Sequence, residues 1–298
     1  MRISRQGSDA TDEPGAAMHA LPLIIPDWPA PCTIGAAMST RRGGVSRSPF
    51  DDLNLRPSGL NTVGAAPEAL AESAENIARW QAAIGVRPVF LQQVHGREVA
   101  NLDGFSEHGW GSAAPSDAAA SKGGQVRFPI ADAAVTTRTD IACTVLVADC
   151  LPVFLTDSQG RAVAAAHAGW RGLGAGVLEA TVAALCRAAT CEPGDVVAWL
   201  GPCIGPSAFE VGEDVLQAFG LSRGGEPSAL FAFAPRVDGT QRWKADLAGL
   251  AQARLRVAGV TRISASGLCT VSDPLRFFSF RRDGLTGRMA ASIWRGRG

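Results

Sequence analysis

Three side chains with soft donor atoms stand where a strand gives way to a turn: His95 in LQQVHG, Cys150 in VADCLP and His167 in AAAHAGWRG. Strand ends of this kind aim catalytic groups from a rigid scaffold into an open cleft. Two imidazoles and a thiolate suit Zn²⁺, and three protein ligands leave a fourth position for water, whose pKa the ion would lower to about 7. On this reading Cys150 and His167 are catalytic as well as metal-binding, and Asp149, beside Cys150, is a candidate acid or base. No HxxxH or CxxC pair supports the trio. A lone histidine or a buried cysteine is ordinarily structural, so spacing alone leaves the metal site open.

The run HAGWRGLGAG offers a second kind of chemistry. Its glycines permit close backbone approach, and N–H groups at the start of a following helix would cradle an anion, with Arg171 as a bidentate donor. It is neither a Walker loop nor a GxGxxG fingerprint, and a tight packing turn explains it equally well. Arg41 in RRGGVS is a candidate phosphate ligand. Asn54 in DDLNL is a candidate polar contact to a sugar or base, or else a turn former. Arg282 in SFRR reads as a solvated surface charge.

Several classes fall away. Cys203 is followed by Ile204, Gly205 and Pro206, so the nucleobase-deaminase PCxxC signature is absent, as are HExxH and GxSxG. Four histidines cannot furnish a multi-copper cluster, although a single His₂Cys copper site with Met289 as axial ligand is chemically allowed. The absence of tyrosine removes any tyrosyl mechanism. With 28 basic and 28 acidic residues, the chain has no surplus for nucleic acid or an anionic membrane. No apolar run approaches the roughly 20 residues of a membrane span. Seven cysteines without a CxxC framework point to a reducing compartment, the cytoplasm.

The elements that must position these residues alternate without a regular βαβ rhythm. Strands are expected at Cys32 to Thr40, in two short pieces between Val86 and Leu102, and at Ile130 to Thr136 and Ile141 to Val147. Pro152 is expected to stop the last of these, with Val153 to Thr156, Arg161 to His167 and Val196 to Leu200 following as strands. Further strands are expected at Ile263 to Leu268, Phe277 to Arg282 and Arg288 to Trp294. Helices are expected at Ala66 to Ile84, Val177 to Ala189, Glu213 to Phe219 and Asp246 to Ala258. Residues 1–30 read as a disordered leader and 31–298 as one α+β domain with a mixed sheet. The segment from Gly104 to Gly124, holding His108 and Trp110, reads as a mobile loop.

QQVHG, ADAAVT, ADCLPV, HAGWRG, GPCIG with FEVG, and SFRRDGLTGRMA occur in the order found in the laccase-domain (multicopper polyphenol oxidase-like) proteins. The chain resembles that family from about residue 31 to residue 295. The resemblance implies an α/β/β/α sandwich with mixed sheets, similar to cysteine-hydrolase folds. It implies zinc on His95, Cys150 and His167, and places Arg41, Ser46 and Asn54 near the substrate. The implied reactions are phosphorolysis of adenosine, inosine or methylthioadenosine and deamination of adenosine. Purine nucleosides and phosphate are then the partners, with Arg41 and Arg171 orienting the phosphate. The protein is expected to be a monomer or weak homodimer.

Where the family often has tyrosine, this chain has Phe209 and Phe280, which keep the ring. Competing expectations are a copper-dependent phenol oxidase, and a cysteine hydrolase with Cys150 as nucleophile and His167 or His95 as base, including one that edits cell-wall precursors. A structural-zinc module is a further one, closed by Cys203, Cys269 or Asp149.

Overall fold

The computed structural model describes residues 20–60, 70–106, 109–110, 128–222 and 228–296. Two mixed sheets carry the site. One runs Leu23–Ile24, Ile34–Ser39, Met289–Arg295, Ile141–Val147, Arg87–Val89 in spatial order, antiparallel except for its last pair. The other runs Arg262–Ala265, Val196–Leu200, Leu151–Asp157, Val163–Ala168, Ala133–Thr136, Val99–Asn101, with parallel pairs at both edges. A three-stranded sheet of Glu210–Val211, Trp243–Ala245 and Phe231–Phe233 flanks them.

Side chains that alternate along each strand sort into layers. From the strand Ile141–Val147, Ile141, Cys143, Val145 and Val147 meet Phe154, Val163, Ala165 and Trp199 of the second sheet, forming the core between the sheets. Ala142 and Leu146 point the other way, onto Trp80 and Ile84 of the helix Leu70–Ile84. On the outer face of the second sheet, Val153, Leu155, Ala164 and Ala166 pack beneath Leu178, Val182 and Leu185 of the helix Val177–Ala189, with the helix Leu247–Val257 beside it. The order is helix, sheet, sheet, helix, as the resemblance implied. The indole of fully buried Trp80 would be costly to bury unpaired, and its Nε1–H donates to Ser292 Oγ at 3.1 Å.

Most expected elements appear, and the exceptions have physical causes. The strand Leu23–Ile24 pairs with Met38 and Ser39, and Trp28 packs against the inter-sheet core, so the folded body begins before Pro31. Residues 1–19 of the expected leader, most of the 104–124 loop including His108, and the expected helix start at 66–69 lie outside the described residues. Pro152 does not stop a strand. It lies inside Leu151–Asp157 opposite His167, and the break falls before it, at Asp149 with φ 97°. The glycine run is itself helical over Trp170–Ala175, and Gly176, at φ 93°, separates it from Val177–Ala189. Phe277 to Arg282 is not a strand. Ser279 Oγ accepts the Arg282 N–H at 3.2 Å and caps the short helix Phe280–Asp283.

Candidate metal centre

His95, Cys150 and His167 converge although the first and last are 72 positions apart in the chain. Their ligand atoms lie within 4.8 Å of one another. Cys150 Sγ is 3.9 Å from His95 Nε2, and the two imidazole rings meet edge-on at 4.8 Å between centroids. Cys150 sits in the turn between Ile141–Val147 and Leu151–Asp157, and so at the crossing from one sheet to the other. His167, in the neighbouring strand Val163–Ala168, reaches the same point from the second sheet.

The third member of the group is held differently, because His95 lies outside any strand at φ 60°, a left-handed conformation that β-carbon-bearing residues seldom adopt. Asp132 holds it. Its Oδ2 accepts the N–H groups of Val94 at 3.1 Å and Gly96 at 2.6 Å, and its Oδ1 accepts that of His95 at 2.9 Å. The same Oδ1 lies 2.8 Å from His167 Nδ1. A nitrogen facing a carboxylate carries the proton, so Nε2 of His167 keeps its lone pair for a metal. Gln93 ties this segment to the first sheet: its amide donates to Leu146 O at 2.9 Å and accepts from Leu146 N–H at 2.8 Å.

Glycine at 169 is a requirement of space. A Cβ there would stand 2.9 Å from His95 Cδ2 and 3.0 Å from Cys150 Sγ. At Gly172 it would stand 2.7 Å from the carbonyl of Gly96. The glycines of HAGWRG thus let the helix Trp170–Ala175 start against the three ligands.

The electrostatics favour metal binding. Burial works to raise the Cys150 thiol, but the imidazoles of His167 and His95 outweigh it and bring the group down to about 6. Burial works to lower His167, and the Cys150 thiolate with the Asp132 carboxylate reverses this. Burial likewise opposes ionisation of Asp132, and the bond to His167 and the backbone donors hold its carboxyl below the usual range. A thiolate and two imidazoles, one of them oriented by a carboxylate, suit a soft divalent ion in tetrahedral geometry. Among the described residues, Asp149, Cys203 and Cys269 do not belong to this donor group.

The other expected residues fall elsewhere. Asp149 is buried and accepts from Thr270 Oγ1 at 2.6 Å, Ser279 Oγ at 3.0 Å and the Arg281 N–H at 2.6 Å, pinning the segment that ends in the helix Phe280–Asp283. Ser46 and Asn54 meet at Asn76, whose Nδ2 donates to Ser46 Oγ at 2.7 Å and to the Asn54 carbonyl at 3.1 Å. Asn54 Oδ1 also accepts the Arg288 N–H at 2.8 Å. Arg41 donates to the carbonyls of Asp51 and Pro274 and lies over the Phe278 ring at 4.7 Å. Arg171 is exposed and stacks on Trp170 at 4.3 Å. Arg282 is no solvated charge, since it donates to the carbonyls of Thr270, Val271 and Phe277. Met289 packs in the inter-sheet core. Phe209 is buried, and Arg281 lies over its ring at 5.6 Å.

Asp132 is the functional residue that reading the chain overlooked. Its signal was present, an aspartate directly before a wholly buried strand, which must find several donors or remain unionised.

The chain is similar to known proteins over nearly its whole length. A family model described as multi-copper polyphenol oxidoreductase laccase matches residues 35–296. A purine nucleoside phosphorylase of Pseudomonas aeruginosa is 43% identical over 272 residues, 91% of this chain and 97% of that protein. The purine nucleoside phosphorylase YfiH of Escherichia coli is 40% identical over 91% of this chain and 98% of its own length. Among solved structures, a Neisseria meningitidis protein superimposes with a TM-score of 0.75 at 37% identity, covering 92% of this chain and 99% of that one. YlmD of Geobacillus stearothermophilus superimposes with a TM-score of 0.73 at 25% identity, covering 93% and 100%.

Proposed function

This chain belongs to the multi-copper polyphenol oxidoreductase laccase family, and we propose that it is a zinc-dependent purine nucleoside phosphorylase that also deaminates adenosine. The observation that carries the phosphorylase reading is the near full-length similarity to proteins named purine nucleoside phosphorylase. The convergence of His95, Cys150 and His167 supports the metal. One His₂Cys group is the only such donor cluster found among the described residues, and it suits a single zinc better than a multi-copper centre. Adenosine, inosine and methylthioadenosine are the substrates proposed, and phosphate the second reactant. The proposed setting is a cytoplasmic monomer or weak homodimer. No helix among the described residues is long and apolar enough to cross a membrane.

His95, Cys150 and His167 would hold the ion, which when bound supplies Lewis acidity. Asp132 keeps the His167 proton on Nδ1 and fixes the His95 turn, so both imidazoles are set before substrate arrives. In phosphorolysis a phosphate oxygen bonds to C1′ of the ribose as the bond from C1′ to the purine nitrogen breaks. Holding phosphate and ribose in register lowers that barrier by orientation. The three donors on Asp149 fit a positioning role for it better than that of a proton carrier.

The test is a tag-free preparation assayed for bound metal and for adenine release from adenosine with and without phosphate, alongside Cys150→Ala. About one zinc per chain and phosphate-dependent release that disappears in the variant is the expected result. Copper with phenol oxidation and no nucleoside turnover would overturn it in favour of the oxidase that the family description names. Ester or amide hydrolysis by zinc-free protein would favour a cysteine hydrolase instead.

A further inference from the structure

Two guanidiniums were expected to meet phosphate: Arg171 is exposed and stacks on Trp170, and Arg41 lies over Phe278 and donates to two carbonyls. A third, Arg288, is buried and within electrostatic reach of Cys150. Arg288 directly precedes the strand Met289–Arg295, whose register sets Met289 beside Val147. The ladder ends at that pair, so Arg288 lies one residue beyond it, at the end of the strand from which the chain runs on from Val147 to Cys150.

Arg288 is 8% exposed, an unusual place for a guanidinium. Burial draws its pKa below the ordinary value, with the negative charges of Cys150 and Asp149 acting the other way. Its position is well determined. Nη1 donates to the carbonyls of Thr286 at 3.0 Å and Gly287 at 3.1 Å. Its own N–H and C=O are held by Asn54 Oδ1 and the Leu55 N–H.

A second observation falls in the same three residues. Thr286 is 1% exposed, and its hydroxyl has no hydrogen-bond partner among the described residues. A buried hydroxyl without a partner is destabilising unless something outside the protein satisfies it. Between the two, Gly287 admits no side chain, because a Cβ would stand 2.7 Å from the Phe278 ring.

We propose that the Arg288 guanidinium and the Thr286 hydroxyl form the pocket that receives the phosphate co-substrate. This rests on the phosphorylase reading and names the residues that reading lacked. A charged fork with a neutral donor beside it suits a tetrahedral oxyanion with several acceptor oxygens. Placed one residue beyond the Met289–Val147 pair, it would hold that anion near the turn that carries Cys150, where a nucleophile for C1′ is required. Asn54 then serves the substrate indirectly, by holding the backbone of Arg288.

The experiment titrates inorganic phosphate into zinc-loaded wild-type protein, Arg288→Lys, Arg288→Met and Thr286→Val, and measures the KM for phosphate and for adenosine in each. Thr286→Val keeps shape and removes only the hydroxyl, so it reads out the pocket even if Arg288→Met fails to fold. Phosphate KM is expected to rise about tenfold or more in Arg288→Met and severalfold in Thr286→Val, with partial rescue in Arg288→Lys and little change for adenosine. Unchanged phosphate KM in folded, zinc-loaded Thr286→Val and Arg288→Met, beside an active wild type, would overturn the inference and leave the proposed function standing. Phosphate binding that the variants abolish, in a wild type without phosphorolysis, would support the pocket and sink the phosphorylase reading. If the variants weaken adenosine monophosphate and not inorganic phosphate, the pocket serves a phosphate carried by the substrate, and the co-substrate assignment fails.

Discussion

Nδ1 of His167 lies 2.8 Å from Oδ1 of Asp132, and that oxygen also accepts the backbone N–H of His95 at 2.9 Å. One carboxylate therefore orients one imidazole through its ring and another through its backbone. Asp132→Asn keeps the shape and removes the charge. Zinc affinity is expected to fall by about 10- to 100-fold, as is usual when a carboxylate behind a metal-bound histidine is lost. Competition against a chromophoric chelator measures it, and unaltered affinity would mean that the bond to His167 does not tune the site.

Gly169→Ala tests the crowding at the ligands. The backbone there, at φ −68°, suits alanine, so any effect comes from a Cβ pressed against His95 and Cys150. A displacement of a few tenths of an ångström should lower zinc affinity at least about tenfold while leaving the circular dichroism spectrum intact. Full zinc content at wild-type affinity would show that the helix start can retreat.

Asp149→Asn separates two roles. If the carboxylate is a hub for Thr270, Ser279 and Arg281, the variant should lose about 1–3 kcal/mol of stability. Both limbs of its pH–rate profile should then match those of the wild type. Disappearance of one limb would instead identify Asp149 as the acid or base.

Asp157 supplies a pH prediction remote from the metal. Burial opposes its ionisation, but the Arg161 guanidinium and the N–H groups of Ala162, Arg161 and Gln159 outweigh it and hold the carboxyl below the usual range. A depressed folded-state pKa contributes stability that is present above the unfolded-state value of about 3.9 and lost as pH falls through the folded one. Asp157→Asn should cost about 1–3 kcal/mol at pH 7, and the gap from wild type should shrink below about pH 4. Urea midpoints at the two pH values decide it, and a constant gap would show that the charge is immaterial.

Much of this protein is legible along the chain, because much of it is local. Ile141–Val147, Val177–Ala189 and Val196–Leu200 match their expected bounds, since strand alternation and helix spacing are written in consecutive residues. His95, Cys150 and His167 could be picked out as well, each being a soft donor at the end of an apolar run with glycine or proline close behind. Their partners could not. The donors on Asp132 come from residues 94–96 and 167, those on Asp149 from residues 270–281, and Asn54 meets Arg288 across 234 positions. Such pairings are set by which strands lie side by side, and nothing in the neighbouring residues records that. The same holds for charge. Arg41, Arg171 and Arg288 look alike as letters, and only packing makes one a brace, one a surface stack and one a buried cation. The sequence by itself determined many of the strands and helices and singled out three soft donors, because periodicity and donor chemistry belong to single residues and their neighbours. The tertiary structure alone decided which carboxylate orients them and which arginine is buried, because desolvation and hydrogen bonding depend on what surrounds a group in space.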